Sequence, residues 1–270
     1  MGEIPVRTWG EFEALAVEKV ERMVALPAGR RLFTPQVLFR GQADARWGLT
    51  TTLQRAIGRS EEKVVDYHIQ MKVVHDSITS LLGKHWDTET CLNLAGFEVQ
   101  GIEFMAYLRQ NGYPSPLLDW TASPYIAAYF AFRDTQNGTT RPEHVAIYTY
   151  EELPDEDERI QFRFQSAATA SIRTIGPCLA TDRKHHLQQC QYTLCMCKGE
   201  EDCCYAAYPD DIVTCDTRRC VVEKYVIPMT EQEKVLRRLQ MMNVTAYSLF
   251  GTEAALMESL AMREVFLGGR

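Results

Sequence analysis

Apolar side chains recur along this chain at helical spacing in several segments. Thr8 to Glu11 has the spacing of a capping box and predicts a helix that continues to about Leu26. Residues 61–86 carry apolar side chains three and four positions apart, which predicts one long helix with that stripe in the core. Further helices are predicted over residues 50–58 and 102–110, from Ser123 onward, and over 230–242 and 253–266.

Shorter apolar runs indicate strands between these helices. Buried strands are predicted at residues 37–39 and 117–118, an alternating strand at 145–150, and further candidates at 191–197 and 220–227. Residues 151–158 are interpreted as a solvated acidic loop, and the mixed periodicity of 159–175 assigns no type. Because helices and strands are intermixed without a repeat, the sequence predicts the α+β class and no clear domain boundary.

The composition is that of an ordinary globular protein, with 46% of the 270 residues hydrophobic and 24% charged. No apolar run approaches the roughly 20 residues that span a bilayer, and the first residues lack a signal-peptide core. We therefore expect a cytoplasmic protein without membrane contacts. The net charge of −7 argues against a general nucleic-acid-binding surface, so such binding needs a local basic patch.

Eight of the nine cysteines lie between Cys178 and Cys220. Without an export signal a disulfide framework is not expected, which leaves free thiols or a metal site. A zinc site would draw its ligands from Cys195, Cys197, one of Cys203 and Cys204, and one of Cys215 and Cys220. The irregular spacing favours buried thiols that pack as small apolar groups, so we predict no metal. A nucleophilic cysteine is not predicted, because the sequence offers no defined pairing of a cysteine with a histidine.

The segment VLFRGQADARWGLTTTLQR places Arg40 and Gly41 at the end of an apolar strand. In one interpretation the stem of Arg40 covers the sheet and its head pairs with Asp44 or another carboxylate. In the other, the guanidinium is an anion clamp, because its fork matches phosphate in a bidentate way. Gly41 would then let a ligand approach the backbone closely.

A second segment, GYPSPLLDWTASPYIAAYFAF, joins a short apolar strand to a helix at residues 112–132. Asp119, Trp120, Thr121 and Ser123 cluster at that junction. A helix N-terminus with hydroxyl side chains suits an anionic or hydroxyl-rich ligand. The same residues also fit a helix cap beside a structural Asp119 and a packed Trp120.

These two segments resemble the hallmarks of the FRG-domain family. The first is similar to its Phe-Arg-Gly motif, here followed by Trp47, Gly48, Leu49 and Arg55. The second resembles its Leu-Leu-Asp-Trp-Thr motif, with Asn111 where His is usual and Ser115 where Thr is usual. A looser match at residues 184–193 sets Gln188 as a late motif glutamine. The resemblance continues through the C-terminal helices to about Leu260.

The resemblance implies a single domain over residues 1–270, with an N-terminal helix in 1–35 and a cysteine-rich insertion at 178–220. Its motif order looks like that of the ADP-ribosyltransferases. It therefore implies a split mixed/antiparallel sheet core with peripheral helices, and NAD as the co-substrate. The family also suggests a toxin or phage-defence effector, a nucleic-acid or protein acceptor, and a separate antitoxin or chaperone chain.

The roles implied for the site follow the same resemblance. Arg40, with Gly41 beside it, grips the phosphates or the nicotinamide-side ribose, and Gln42 bonds a hydroxyl or the carboxamide. Thr121 and Ser123 orient the ribose, with Asp119 positioning Arg40 or the turn. Either Trp120 or Tyr125 stacks on the nicotinamide. The catalytic set is therefore Arg40, Thr121, Ser123 and Gln188.

The third catalytic position is the weak element of this assignment. Many transferases of this fold use a glutamate, whereas Gln188 can donate and accept hydrogen bonds but cannot take a proton. Three alternatives remain open: Gln188 only positions the ribose, one of Glu98, Glu103 and Glu223 folds into the site, or the site is not a transferase.

His185 and His186 are open to three interpretations: a general base, part of a basic patch with Arg183 and Lys184, or an exposed turn. Two further basic pairs, 218–219 and 237–238, are candidate contacts for a nucleic-acid acceptor. Two other functions compete with transfer. One is a module that binds a phosphate-bearing ligand without turnover. The other, which ranks lower because the sequence lacks a carboxylate cluster, is a metal-dependent nuclease.

Overall fold

The computed structural model describes residues 3–25, 37–94, 97–133, 142–153, 170–175, 183–199, 202–208 and 219–268. The strands are β1 Glu3–Pro5, β2 Val37–Gln42, β3 Glu62–Lys63, β4 Cys91–Leu94, β5 Phe97–Gln100, β6 Leu117–Thr121, β7 His144–Leu153, β8 Ser171–Ile175, β9 Cys190–Lys198, β10 Cys203–Tyr205 and β11 Arg219–Pro228. The α-helices are α1 Trp9–Val24, α2 Thr52–Ile57, α3 Val64–Leu82, α4 Ile102–Gln110, α5 Pro124–Phe132, α6 Arg183–Leu187, α7 Gln232–Met241, α8 Ala246–Phe250 and α9 Glu253–Ala261. The predicted α+β class is confirmed.

Nine strands form one mixed sheet in the order β1-β11-β7-β2-β6-β9-β10-β3, with β8 pairing β9 outside that path. The β1–β11 pair is parallel, and the other ladders of this sheet are antiparallel. The central strands β2 and β6 share a single register pair, Phe39 with Thr121. On the far side of each, β2 pairs β7 over six residues and β6 pairs β9 over five. The sheet is therefore weakly joined at its centre.

Helices cover the two halves of the sheet separately. Helices α1, α5 and α7 pack on β2, β7 and β11 around a core that includes Phe12, Phe39 and Phe132. Helices α3 and α4 pack on β6, β8 and β9 around Tyr67 and Phe104. Each half thus buries its own apolar side chains, which leaves the junction between them available for polar groups.

The predicted core stripe of the long helix is wrong in part. Val64, Tyr67 and Met71 of α3 are buried, but Val65, Ile69, Val73 and Leu81, each at least half exposed, face solvent. Both rows have helical spacing, so periodicity alone cannot decide which of them meets the sheet. Leu92 of β4 is also exposed.

The acidic run at 151–158 is also placed differently from its prediction. Glu151 lies on β7, is buried, and pairs with Lys19 and Arg22 of α1. Residues 154–158 lie outside the described part of the chain. Glu151 therefore anchors helix α1 to the sheet, because two cations of that helix compensate the burial of its carboxylate.

Six cysteines in the described residues are free: Cys91, Cys190, Cys195, Cys197, Cys203 and Cys204. The part of the chain that the structure describes contains no group of three or more His, Cys, Asp or Glu side chains that could hold a metal. Cys178 and Cys215 lie outside it. No helix in the described ranges has the length and apolarity required to cross a membrane.

Candidate anion-binding cleft

A cleft of about 970 Å³ opens where the two halves of the sheet meet. Strands β2 and β6 provide its floor next to their single shared pair, and the segment 43–50 forms one wall. The ends of α4 and α6, the start of β9 and Phe250 of α8 complete it. Motifs that are far apart in the sequence thus meet in one cavity.

Arg40 lies in this cleft with its guanidinium anchored to the neighbouring strand. Its Nη1 donates to the backbone oxygen of Asp119 at 2.7 Å and lies 3.8 Å from that residue's Oδ2. Burial lowers the pKa of Arg40, Asp119 acts in the opposite direction, and the positive charges of Arg109 and Arg55 lower it further. The Nε of Arg40 is buried without a partner in the described structure. An anion in the cleft would therefore relieve the like-charge repulsion among these arginines.

The charges that line the cleft are unbalanced. The cationic side chains are those of Arg40, Arg46, Arg55, Arg109 and Lys184, whereas Asp119 is the one carboxylate among the described lining residues. Arg109 donates through Nη2 to Asp119, which is therefore shared with Arg40. Arg46 pairs with Asp44, but Arg55 and Lys184 bond only backbone oxygens among their described hydrogen bonds, at 2.6 and 2.9 Å. A protein of net charge −7 thus concentrates positive potential in one cavity.

Gln42 and Thr121 also line this cleft, as predicted for site residues. Gln42 donates from Nε2 to the Gly48 oxygen at 3.1 Å, and its Oε1 is buried without a described partner. Thr121 donates to the Gln188 oxygen at 2.8 Å and accepts from the Ser123 backbone N–H at 3.2 Å. The threonine hydroxyl therefore joins the motif at β6 to the late motif at residue 188.

One comparison with known proteins bears on this arrangement. A protein-family model described as the FRG domain matches residues 35–140. The predicted resemblance to the FRG-domain family is therefore confirmed over these residues. No curated protein and no solved structure matched the chain.

The FRG match runs from β2 through α5 and so contains Arg40, Arg55, Arg109 and Asp119. The remaining wall, with Lys184, Gln188, Cys190, Tyr192 and Phe250, comes from residues beyond the match. The cleft is therefore assembled by the FRG segment together with C-terminal strands and helices.

Ser123 and Tyr125 are not placed with the other predicted site residues. Ser123 does not line the cleft; its hydroxyl accepts from Ile126 N at 3.4 Å and caps α5. Tyr125 extends toward α1, where its hydroxyl donates to Glu13 at 3.0 Å and its ring lies 6.3 Å from that of Trp9. The structure thus gives both residues a role in placing α5, because their hydroxyls bond the first turn of that helix and helix α1, respectively.

Trp120 lines the cleft but is almost fully buried. Its Nε1 donates to Thr193 Oγ1 at 2.8 Å, and its ring packs 5.7 Å from Tyr150. The indole is therefore committed to the core, and the stacking role predicted for it would require repacking.

The structure requires a glycine at position 41 for a different reason from the predicted one. A Cβ at this position would collide with the Ala127 carbonyl oxygen and lie 2.7 Å from the Ala131 nitrogen. The missing side chain therefore faces helix α5, and the glycine allows α5 to pack directly on β2. Close approach of a ligand is not what requires this glycine, although its backbone borders the cleft.

Gln188 reaches the cleft, but its amide is engaged by the protein. Its Nε2 donates to the Leu249 oxygen at 3.2 Å, and its Oε1 accepts from the Cys190 thiol at 3.4 Å. None of Glu98, Glu103 and Glu223 lines the cleft; Glu223 pairs with Lys19 at 2.7 Å. No glutamate is found among the described lining residues.

His185 is buried rather than part of an exposed turn, whereas His186 is exposed. The Nδ1 of His185 lies 3.2 Å from Gln110 Nε2, and that Nε2 also donates to the Tyr192 hydroxyl at 2.9 Å. Burial lowers the pKa of His185, His186 lowers it further, and Asp119 opposes them. His185 therefore supports the wall formed by Gln110 and Tyr192.

Sequence reasoning gave no site role to several lining residues, above all Arg109. Arg109 occupies the last turn of α4, where a cation is ordinary because it complements the helix dipole. Its position two residues before Asn111, in the second motif, was the available signal. Arg55 stood within the first motif but was assigned no role.

The basic pair at 237–238 is compensated by acidic neighbours. Arg237 pairs with Glu233 and Arg238 with Glu13, each at 2.9 Å. Arg218 lies outside the described residues. Lys184, by contrast, lines the cleft and bonds a backbone oxygen rather than a carboxylate in its described hydrogen bonds.

Proposed function

We propose that this protein is an NAD-dependent ADP-ribosyltransferase whose cleft holds the pyrophosphate of NAD and presents the ribose to a macromolecular acceptor. The observation that carries the proposal is the excess of cations around Arg40, in a cavity that also contains Thr121 and Gln188. The ADP-ribosyltransferase-like form of the split sheet belongs to the same proposal, and the single β2–β6 pair supports it.

The cleft suits a ligand with two phosphates. Guanidinium groups bind phosphate through paired N–H donors. Beyond the effect of burial, the positive charges of Arg109 and Arg55 lower the pKa of Arg40, and that of Arg109 lowers the pKa of Arg55, so the three groups lie close together. A cavity of about 970 Å³ is also large enough for a dinucleotide-sized ligand. The pyrophosphate would contact these three arginines. It would partly replace Asp119 as the anionic partner of Arg40 and Arg109.

The chemistry is substitution at C1′ of the nicotinamide ribose. The C–N bond breaks with its electron pair leaving on nicotinamide, through an oxocarbenium-like state of the kind found in glycoside hydrolysis. The acceptor's nucleophilic atom then bonds to C1′, and its proton passes to water, since Gln188 cannot take one. Thr121 and Gln188 hold the ribose, and Gln42 Oε1 accepts from a hydroxyl or the carboxamide.

A non-catalytic module for a phosphate-bearing ligand is the second candidate. One observation favours it: the Thr121 hydroxyl and the Gln188 amide are engaged by protein groups, and no glutamate lines the described part of the cleft. Nothing in the described residues favours the metal-dependent nuclease. The toxin or antiviral role, the acceptor and a neutralising chain remain proposals that follow from the FRG resemblance.

The test is release of nicotinamide from NAD by the purified protein, with and without total RNA or cell protein. Transfer gives acceptor-dependent release that is lost in Arg40→Ala and Arg55→Ala and kept in Arg237→Ala, whose side chain lies outside the cleft. A binding module gives a thermal shift with NAD and no release. Absence of nicotinamide release with every acceptor would overturn the proposal, and absence of a thermal shift with NAD as well would also exclude a binding module for NAD.

A further inference from the structure

Trp47 is a large apolar side chain held in water at the mouth of the cleft. It lines the cavity and is 56% exposed. The other tryptophans differ: Trp9 and Trp120 are buried, and Trp86 packs 4.4 Å from the ring of Tyr107. No aromatic contact of Trp47 is found within the described ranges. Its indole face is therefore free to receive a planar group.

The backbone that carries Trp47 is fixed by the surrounding strands. Trp47 N donates to the Asp44 oxygen at 3.1 Å, and the Trp47 oxygen accepts from the Tyr148 hydroxyl at 2.8 Å. Ala45 N donates to the His144 oxygen at 3.0 Å, and Gln42 Nε2 to the Gly48 oxygen at 3.1 Å. Trp47 is thus exposed although the backbone on both sides of it is held by hydrogen bonds. Binding of a partner to this ring therefore costs little free energy for ordering the backbone.

The surroundings of Trp47 indicate what kind of planar group it receives. Arg46, its neighbour in the chain, also lines the cleft, as do Arg55 and Arg40, and the positive charge of Arg55 acts on Arg40. An aromatic face beside several guanidinium groups matches a ligand in which a flat base is joined to phosphates. We infer that Trp47 stacks on the base of the ligand, so that the cleft selects nucleotides over phosphate compounds that lack a base. This inference rests on the proposed use of the cleft for a phosphate-bearing ligand.

The experiment compares ADP with inorganic pyrophosphate by titration calorimetry on the full chain. Stacking of a base on an aromatic side chain is worth about 1–3 kcal/mol, so Trp47→Ala should weaken ADP binding by roughly 5- to 150-fold. Its affinity for pyrophosphate should stay unchanged, and Trp47→Phe should recover most of the ADP affinity. Arg55→Ala should weaken both ligands, because it removes a contact to phosphate.

Tryptophan fluorescence gives an independent readout with a matched control. ADP should quench the wild-type emission and that of Trp86→Phe, whose ring packs on Tyr107 and lies outside the cleft. The quenching should vanish in Trp47→Phe, which keeps an aromatic ring at the rim. Since both variants are conservative, a loss confined to Trp47→Phe reports the position of the base.

Two results would overturn the inference. One is equal weakening of ADP and pyrophosphate by Trp47→Ala, and the other is no effect on either. Failure of the proposed function is separate: ADP stacked on Trp47 with no nicotinamide release from NAD refutes the transferase and leaves the base site. Nicotinamide release with ADP affinity unchanged in Trp47→Ala refutes the base site and leaves the transferase.

Discussion

Asp119 is the residue on which the charge balance of the cleft depends. It pairs with Arg109 and lies 3.8 Å from Arg40 Nη1, while Arg55 adds further positive charge. Without a ligand, one carboxylate must compensate several guanidinium groups. An anionic ligand would compete with Asp119 for the same donors. Asp119 therefore stabilises the empty cleft and weakens anion binding at the same time.

Asp119→Asn separates these two effects. We expect the free energy of unfolding to fall by about 1–3 kcal/mol, because the arginines lose their carboxylate. We expect inorganic pyrophosphate to bind more tightly, because a competing negative charge is gone and the Arg40 bond to the Asp119 backbone remains. Denaturant titrations with and without pyrophosphate measure both quantities, and the exposed Asp66→Asn is the control. Weaker pyrophosphate binding in Asp119→Asn would mean that the carboxylate chiefly positions the arginines.

His185 should make the stability of the protein sensitive to acid. Burial lowers its pKa below the ordinary value of 6.5, so the unfolded chain takes up a proton at a pH where the folded chain does not. Stability should therefore fall as the pH drops below 6.5. His185→Asn should reduce this slope by up to about 1.4 kcal/mol per pH unit. Unfolding free energies from pH 7 down to about 5 test it, with the exposed His85→Asn as control. Parallel curves for wild type and His185→Asn would refute the assignment.

The sequence identifies cleft residues where a side chain conflicts with its local pattern. Arg40 stands out because a guanidinium follows an apolar strand, and it does line the cleft. Arg109 does not stand out, because a cation in the last turn of a helix is unremarkable until the helix is seen to end beside β6. Ser123 was misassigned for a related reason: a helix-capping hydroxyl and a ligand-binding hydroxyl look the same in sequence.

At the scale of elements, the contact between α5 and β2 sets the position of both cleft strands. Gly41→Ala would place a methyl group against the backbone of Ala127 and Ala131, which cannot give way as a flexible side chain can. We expect a loss of roughly 3 kcal/mol or more in the free energy of unfolding. Gly10→Ala in α1 meets no atom within 4 Å, so it should be neutral or stabilise by up to about 1 kcal/mol. Chemical denaturation of both variants decides, and a Gly41→Ala protein as stable as wild type contradicts the packing role.

Element boundaries were most predictable where local chemistry determines them. Thr8 caps α1 as its capping-box spacing predicted, and α4 covers the predicted residues 102–110. The choice between two apolar rows of α3 was not predictable, because it depends on where a distant sheet lies. The same limit applies to β3 and β10, short strands whose pairing depends on contacts between residues far apart in the sequence.

At the scale of the whole molecule, the sheet pairs strands inside the FRG match with strands that follow it in the sequence. The matched residues 35–140 contain β2 and β6, which share one register pair. Their long ladders are with β7 and β9, which follow residue 140. β3 likewise pairs with β10, from the same later part of the chain. The matched segment therefore carries the arginines of the cleft without the strands that hold them in place.

We accordingly expect residues 35–140 alone to lack a cooperative unfolding transition, because the segment exposes the edges of β2 and β6. The full chain should unfold cooperatively, and addition of residues 141–270 should restore structure to the fragment. Circular dichroism during denaturant titration of the fragment, the mixture and the full chain measures this. Rescue by the second fragment shows that missing strands, rather than poor expression of a short chain, caused the failure. A cooperative transition in 35–140 by itself would mean that the FRG segment folds independently, and that the later strands serve the cleft but not the stability of its arginine-bearing half.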